Sequence, residues 1–194
     1  MGADVVADAA GGRLPPWAEA TPARREHLAR VAELLDRWAA ALGLSDAERA
    51  RWRAAAWLHD ALRDADPAAL RPLVPPECRG WPALLLHGPA AAARLRGDGC
   101  ADEALLRAVA YHTIGHPELD ELGGALYLAD FLEPGRTFEP LWRAALRARM
   151  PAARSAVLQE VVGARIRHLV GSGRALRPET LGFWNSLARS PVDP

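Results

Sequence analysis

Lysine is absent: all 24 basic residues among the 194 are arginine. Chemistry that needs a lysine amine, such as Schiff-base catalysis, is therefore excluded. Cysteine is scarce. Cys78 and Cys100 lie apart in loop-like sequence and form neither a CxxC pair nor a disulfide framework, so a reducing, cytoplasmic setting is expected. Neither sign of charge is in excess, because 24 acidic residues balance the 24 arginines. Dispersed charge of this kind argues against a broad electrostatic grip on nucleic acid, which needs a basic face. Long apolar runs are also missing. The longest uncharged stretch, Trp81 to Ala93, is broken by Pro82 and Pro89 and falls short of the ~20 residues that span a bilayer. Residues 1–16 lack the basic start and apolar stretch of a signal peptide. A soluble protein with a small-molecule partner is expected, with no nucleic acid and no membrane.

What is present is alanine, arginine and helix punctuation. Half of the residues (50%) are apolar, and 16 glycines and 16 prolines divide the chain, enough apolar sequence for one full core. Residues 1–16 read as a flexible leader closed by Pro15 and Pro16, and residues 17–190 as a single domain. Thr21 and Pro22 open a helix that Gly43 stops. Its stripe at spacings of three and four (His27, Val31, Leu34, Trp38, Leu42) points His27 inward. Ser45 and Glu48 form a capping box for a second helix expected to run through His59 to about Arg63. Asp66 and Pro67 open a short third one, and the prolines from Pro72 to Pro82 mark a loop. A short helix is expected to end near His87 and Gly88, with a new start at Pro89. Leu105, Val109 and His112 share a face of the next helix, and Leu119, Leu122, Leu126 and Asp130 share another. Helical patterns over 138–149, 151–170 and 178–188 fill the rest. No strand-like alternation of useful length and no repeat occurs, so the fold class is all-α, a helical bundle.

Four histidines and two aspartates fall at inward or helix-end positions of successive helices: His27, His59 with Asp60, His87, His112 and Asp130. Burying several imidazoles and carboxylates together is costly unless a partner neutralises them. A divalent cation is the economical partner, since mixed nitrogen and oxygen ligands suit iron, manganese or zinc. Six ligands exceed one closed tetrahedral site, and two ions sharing a carboxylate fit better.

With its ligands in that order, the sequence resembles the HD-domain metal-dependent phosphohydrolases, and within them the YqeK family of symmetrical diadenosine tetraphosphate hydrolases. "RREH" ending at His27, "AAWLHD" ending at Asp60 and "LLHG" around His87 carry the likeness, with "AVAYHTIG" around His112 and "LYLADFLEPGR" from Leu126 to Arg136. "ETLGFWNSL", Glu179 to Leu187, is similar too. The resemblance implies an HD-domain bundle over 17–190 in which His27, His59, Asp60 and Asp130 hold one metal. Asp60 then bridges to a second held by His87 and His112. It implies two divalent ions, iron first, with Mn, Co or Mg as substitutes, and a homodimer. The implied reaction is attack of a metal-bridging hydroxide on an inner phosphorus, giving two ADP. Two positions depart from the family pattern: Arg63 stands where lysine is usual, and Ile114 where a second threonine follows Thr113.

Around the ligands, Arg136 is the first choice for a phosphate clamp, with Arg63 and Arg24 behind it. Thr113 either hydrogen-bonds phosphate or caps a helix end. Asp64 is a helix-end residue or a helper in proton transfer. His116, four residues after His112, sits between Gly115 and Pro117, which argues against a helical ligand pair and for a substrate-facing loop. His168 is expected to be structural, and Trp81 is the tryptophan to test for stacking on a base. Three other readings stay open: an HD nucleotidase or triphosphatase acting on mononucleotides, a di-iron oxygenase using the same ligands, and a nucleotide-binding protein without turnover.

Overall fold

A computed structural model describes residues 4–189, and those residues form ten α-helices and no strand. Residues 1–3 of the expected leader and residue 190 of the expected domain lie outside the described range. Helix α2 (Pro22–Ala41) starts at Thr21, whose side chain accepts the amide of Arg24, and α3 (Asp46–Leu58) starts at Ser45, which accepts that of Glu48. The two pack as an antiparallel hairpin. Asp36 of α2 locks it, accepting from both Arg49 and Arg53 of α3.

After the short α4 (Pro67–Leu70) and two 3-10 turns, α5 (His87–Gly97) and α6 (Glu103–Tyr111) form a second hairpin, and α7 (Glu121–Leu132) runs through the centre. All but three of the residues of α7 are buried, because this helix packs on α2, α3, α6 and later helices at once. α8 (Pro140–Ala148), α9 (Arg154–Gly171) and α10 (Pro178–Arg189) close the other side. Arg51 of α3 pairs with Asp102, the N-cap of α6, so one ion pair ties both hairpins together.

The local pattern departs from expectation at two places that matter. Residues 5–10 are not loose: they form α1 (Val5–Ala10), capped by Asp4 and docked on α3, with Ala9 fully buried. Gly12, at φ +83, brings the chain over the indole of Trp57. Helix α3 also stops at Leu58, earlier than Arg63, so His59 and Asp60 occupy a turn just beyond its end. There the chain leaves the helical path, and adjacent side chains can point at a common centre.

Candidate metal centre

The six residues singled out from the sequence converge. His27 projects from α2, Asp130 from α7, His59 and Asp60 from the turn after α3, His87 from the first position of α5 and His112 from the cap of α6. Gly88 makes the approach of α5 to α6 close enough. A β-carbon there would lie 2.7 Å from the carbonyl oxygen of Ala110 and 2.9 Å from that of Val109, inside van der Waals contact. Without that side chain, His87 Nε2 comes to 3.2 Å from His112 Nε2.

Asp60 is the hinge of the cluster. Its Oδ1 is 3.1 Å from His87 Nε2 and 3.3 Å from His112 Nε2, while its Oδ2 is 3.7 Å from His27 Nε2 and 3.8 Å from His59 Nε2. Asp130 Oδ1 joins the second group, 3.2 Å from His27 Nε2 and 3.9 Å from His59 Nε2. Each carboxylate oxygen of Asp60 therefore serves a different pair of imidazoles.

The hydrogen bonds on the far side of the rings show what these atoms need. His59 Nδ1 donates to the carbonyl of Ala56 at 2.7 Å, and His112 Nδ1 to that of Val109 at 2.8 Å. His27 Nδ1 faces the carboxylate of Glu133 at 3.3 Å, which can only accept. With protons on Nδ1, the Nε2 atoms present lone pairs to one another and to carboxylate oxygens. His27 and His59 Nε2 are 3.4 Å apart. Lone pairs facing in a dry interior repel unless a cation lies between them. Buried Asp60 Oδ1 has no hydrogen-bond partner, and neither does His87 Nδ1. The donor set and this unmet demand both fit divalent metal, and three overlapping trios of these residues have ligand atoms within 4.8 Å of each other.

Burial favours neutral imidazoles at His59 and His87, while the carboxylates around them stay ionised. Full burial holds His59 down to about 3 despite the Asp60 carboxylate beside it. Burial likewise lowers His87. At His27 burial pulls down, but the carboxylates of Asp130 and Glu133 outweigh it and the pKa is raised. Asp60 and Asp130 both stay below the usual carboxylate range: burial opposes this, and the surrounding histidines outweigh it.

Glu133 is the partner that sequence reasoning missed. It is 2% exposed and, besides facing His27, accepts from Arg30 Nε at 2.6 Å and from the amide of Gly135 at 2.7 Å. Burial notwithstanding, the His27 and Arg30 contacts hold it down to about 2. It lies within the "ADFLEPGR" segment, and an acid three residues past an inward Asp130, immediately before a Pro-Gly stop, was the available signal.

The arginines divide into two kinds. Arg24 donates to Asp60 Oδ2 at 2.6 Å, and Arg136 pairs with Asp130 and also donates to its backbone carbonyl at 3.1 Å. Arg63, half-buried and close enough to His87 to depress its pKa, has no ion pair or side-chain hydrogen bond among the described residues. Asp64 lies away from the imidazoles. It accepts from the amide and hydroxyl of Thr21, at 3.0 and 2.7 Å, and from Arg24, and so steadies the start of α2. Thr113 Oγ1 is 3.0 Å from His112 Nε2 and 3.5 Å from His87 Nε2, at the rim of the cluster.

Three further residues weighed from the sequence lie outside the converging set. Trp81 is 4% exposed, stacked 4.6 Å beneath Arg177, so it offers no face to a base. His116 packs on Tyr111, ring centres 4.5 Å apart, outside the converging set. His168 is exposed near the end of α9. The departure at Ile114 is a matter of packing: its side chain is buried and its carbonyl accepts from Thr180 at 2.9 Å. Cys78 and Cys100 are free and buried, and burial pushes the Cys78 thiol up to about 11. No helix among the described residues is long and apolar enough to cross a membrane.

Known proteins resemble this chain. The symmetrical bis(5'-nucleosyl)-tetraphosphatase of Halalkalibacterium halodurans is 29% identical over 150 residues, covering 74% of this chain and 79% of that one. The protein of the same name from Staphylococcus aureus is 41% identical over 54 residues, 27% of this chain and 28% of its own. A crystal structure from Clostridium acetobutylicum, described as an HD superfamily hydrolase involved in NAD metabolism, superposes with a TM-score of 0.74 at 25% identity, covering 95% of this chain and 96% of that one. The HD domain family matches residues 24–135. That match takes in more than half of the sequence and encloses all the converging side chains: the chain belongs to the HD-domain hydrolases.

Proposed function

We propose that the protein is a di-metal phosphohydrolase that cleaves diadenosine tetraphosphate symmetrically into two ADP. The observation that carries this reading is Asp60, whose two oxygens address separate imidazole pairs while Oδ1 lacks any hydrogen-bond donor. His27, His59, Asp60 and Asp130 would hold one divalent ion, and Asp60, His87 and His112 the other. Bound there, the ions supply Lewis acidity, lowering the pKa of water from ~15.7 towards 7 and offsetting charge on phosphoryl oxygens. The names of the relatives, symmetrical tetraphosphatases, support the substrate class.

The chain's own residues bind and orient. Arg63 brings an uncommitted guanidinium beside His87, and its fork suits two phosphate oxygens at once. Arg24 and Arg136 already carry positive charge to the edge of the cluster through Asp60 and Asp130, where it opposes the charge of a polyphosphate. Thr113 adds a hydroxyl at the rim. Asp64 acts by positioning Arg24 and not by moving a proton. In the balanced reaction, water adds to an inner phosphorus, the central anhydride bond breaks, and a second ADP leaves with release of one proton.

Product analysis tests this. Protein loaded with iron, manganese or cobalt is incubated with diadenosine tetraphosphate, and ADP is expected as the sole product. AMP with ATP would mean the wrong bond is cleaved. An intact dinucleotide beside rapid turnover of mononucleotides would favour a nucleotidase.

A further inference from the structure

Beside the cluster lies a groove of about 880 Å³ that none of the six converging residues lines. Its size is that of a small-molecule site. Phe131, Phe138, Trp142, Arg143, Arg165 and Arg174 form much of its wall. It adjoins the cluster at two points. Arg165 Nη2 donates to the carbonyl of Thr113 at 2.8 Å, one residue from His112, and Phe131 follows Asp130 directly.

Charge in the groove is unbalanced. Arg143 is only 7% exposed, yet it has no carboxylate within ion-pair distance among the described residues. It donates to the backbone carbonyls of Phe138 and Phe131 and lies 3.8 Å over the ring of Phe131. Its charged neighbours include two further cations, Arg136 and Arg165, with Asp130 and Glu139 more weakly felt. Arg165, Arg167 and Arg174 likewise have no ion pair among the described residues. Of the two acids on the wall, Glu160 is already held by Arg149 at 2.7 Å and Trp142 Nε1 at 2.9 Å, which leaves Glu139. A buried guanidinium surrounded by others is costly unless an anion completes the set. The apolar share of the wall includes Phe138, 67% exposed, where a large aromatic has no packing reason to be.

We propose that this groove is the subsite for the second nucleotide of a dinucleoside polyphosphate, with phosphates along Arg165, Arg167 and Arg174 beside the buried Arg143 and the base against Phe138 and Trp142. The inference rests on the dinucleotide reading above and makes it more specific. A mononucleotide held by its phosphates at the metal centre needs no second basic, aromatic wall. A substrate with a nucleoside at each end does, and its departing half leaves through this groove as ADP.

The test uses Arg174→Glu combined with Phe138→Ala, both exposed side chains whose loss leaves the core intact. Two quantities are read: ADP binding to chelator-treated full-length protein by calorimetry, and KM for diadenosine tetraphosphate with the metal-loaded protein. The groove reading expects wild-type protein to bind ADP without metal, the double variant to lose at least tenfold in that affinity, and KM to rise at least tenfold. Arg167→Glu is the independent second variant and is expected to shift both quantities in the same direction. Cleavage of the dinucleotide with unchanged KM in every variant overturns the groove and leaves the substrate reading standing. Loss of ADP binding in the variants, with no dinucleotide cleavage by wild type, overturns the substrate reading and leaves a nucleotide-binding groove.

Discussion

Replacing Glu133 with glutamine keeps the shape of a buried side chain and removes its charge. Glu133 holds His27 in the tautomer with Nε2 free, through Nδ1 at 3.3 Å. Such carboxylate–histidine supports typically alter metal affinity 10- to 100-fold. Two features of the structure place this case near the lower end. The contact is long for a charge-assisted hydrogen bond, and the carboxylate already shares its charge with Arg30 at 2.6 Å. About tenfold, or ~1.4 kcal/mol, is expected. The loss should fall on one of the two ions, because Glu133 touches His27 but neither His87 nor His112. Manganese titration against a competing chelator resolves the two steps, with thermal unfolding as the control for folding. One weakened step and one unaltered step is the expected result. Two unaltered affinities, or equal weakening of both, would refute the role given to Glu133.

Gly88→Ala should force α5 away from α6, since the added carbon would sit 2.7 Å from the Ala110 carbonyl oxygen. A cost of roughly 1–3 kcal/mol is expected, or roughly 2–4 °C in Tm per kcal/mol, with weaker metal binding at the His87–His112 pair; an unchanged Tm would show that the helices need no such contact. Asp36, bonded to Arg49 first and Arg53 second, has its pKa lowered from 3.8, although burial opposes the shift. Its ionised form favours the folded state, so that contribution is complete above 3.8 and is lost as the pH falls through the lower folded value. Asp36→Asn should therefore reduce stability at neutral pH and flatten the acid limb of a Tm-versus-pH series, and parallel limbs would contradict this.

Five of the six converging residues were legible because each depends on local rules: a helical stripe places His27, Leu126 and Asp130 keep register on α7, and His59–Asp60 and His112 stand at helix ends; His87, expected to end a short helix, opens α5 instead. Their meeting at one point is a tertiary fact, yet the cost of burying them separately already required it. Glu133 was hidden for the opposite reason. It follows the last residue of α7 in extended backbone, where no periodicity assigns a direction to the side chain. The docking of α1 was equally silent, because Val5–Ala10 is short, rich in alanine and helical mainly through its packing on α3. Trp81 read as a loop residue and hence as available, whereas the cation that covers it, Arg177, comes from about a hundred residues further along the chain. The groove beside Thr113 needed the same long-range knowledge: Arg165 on α9 reaches back to the carbonyl of Thr113.

Metal content by elemental analysis of wild-type protein and Asp60→Ala is the most direct measurement of the bridging centre. Two divalent ions per chain are expected in the wild type. Near-complete loss of both is expected in the variant, because Asp60 alone addresses both imidazole pairs. Retention of two ions by folded Asp60→Ala protein would contradict a shared carboxylate at the centre of this site.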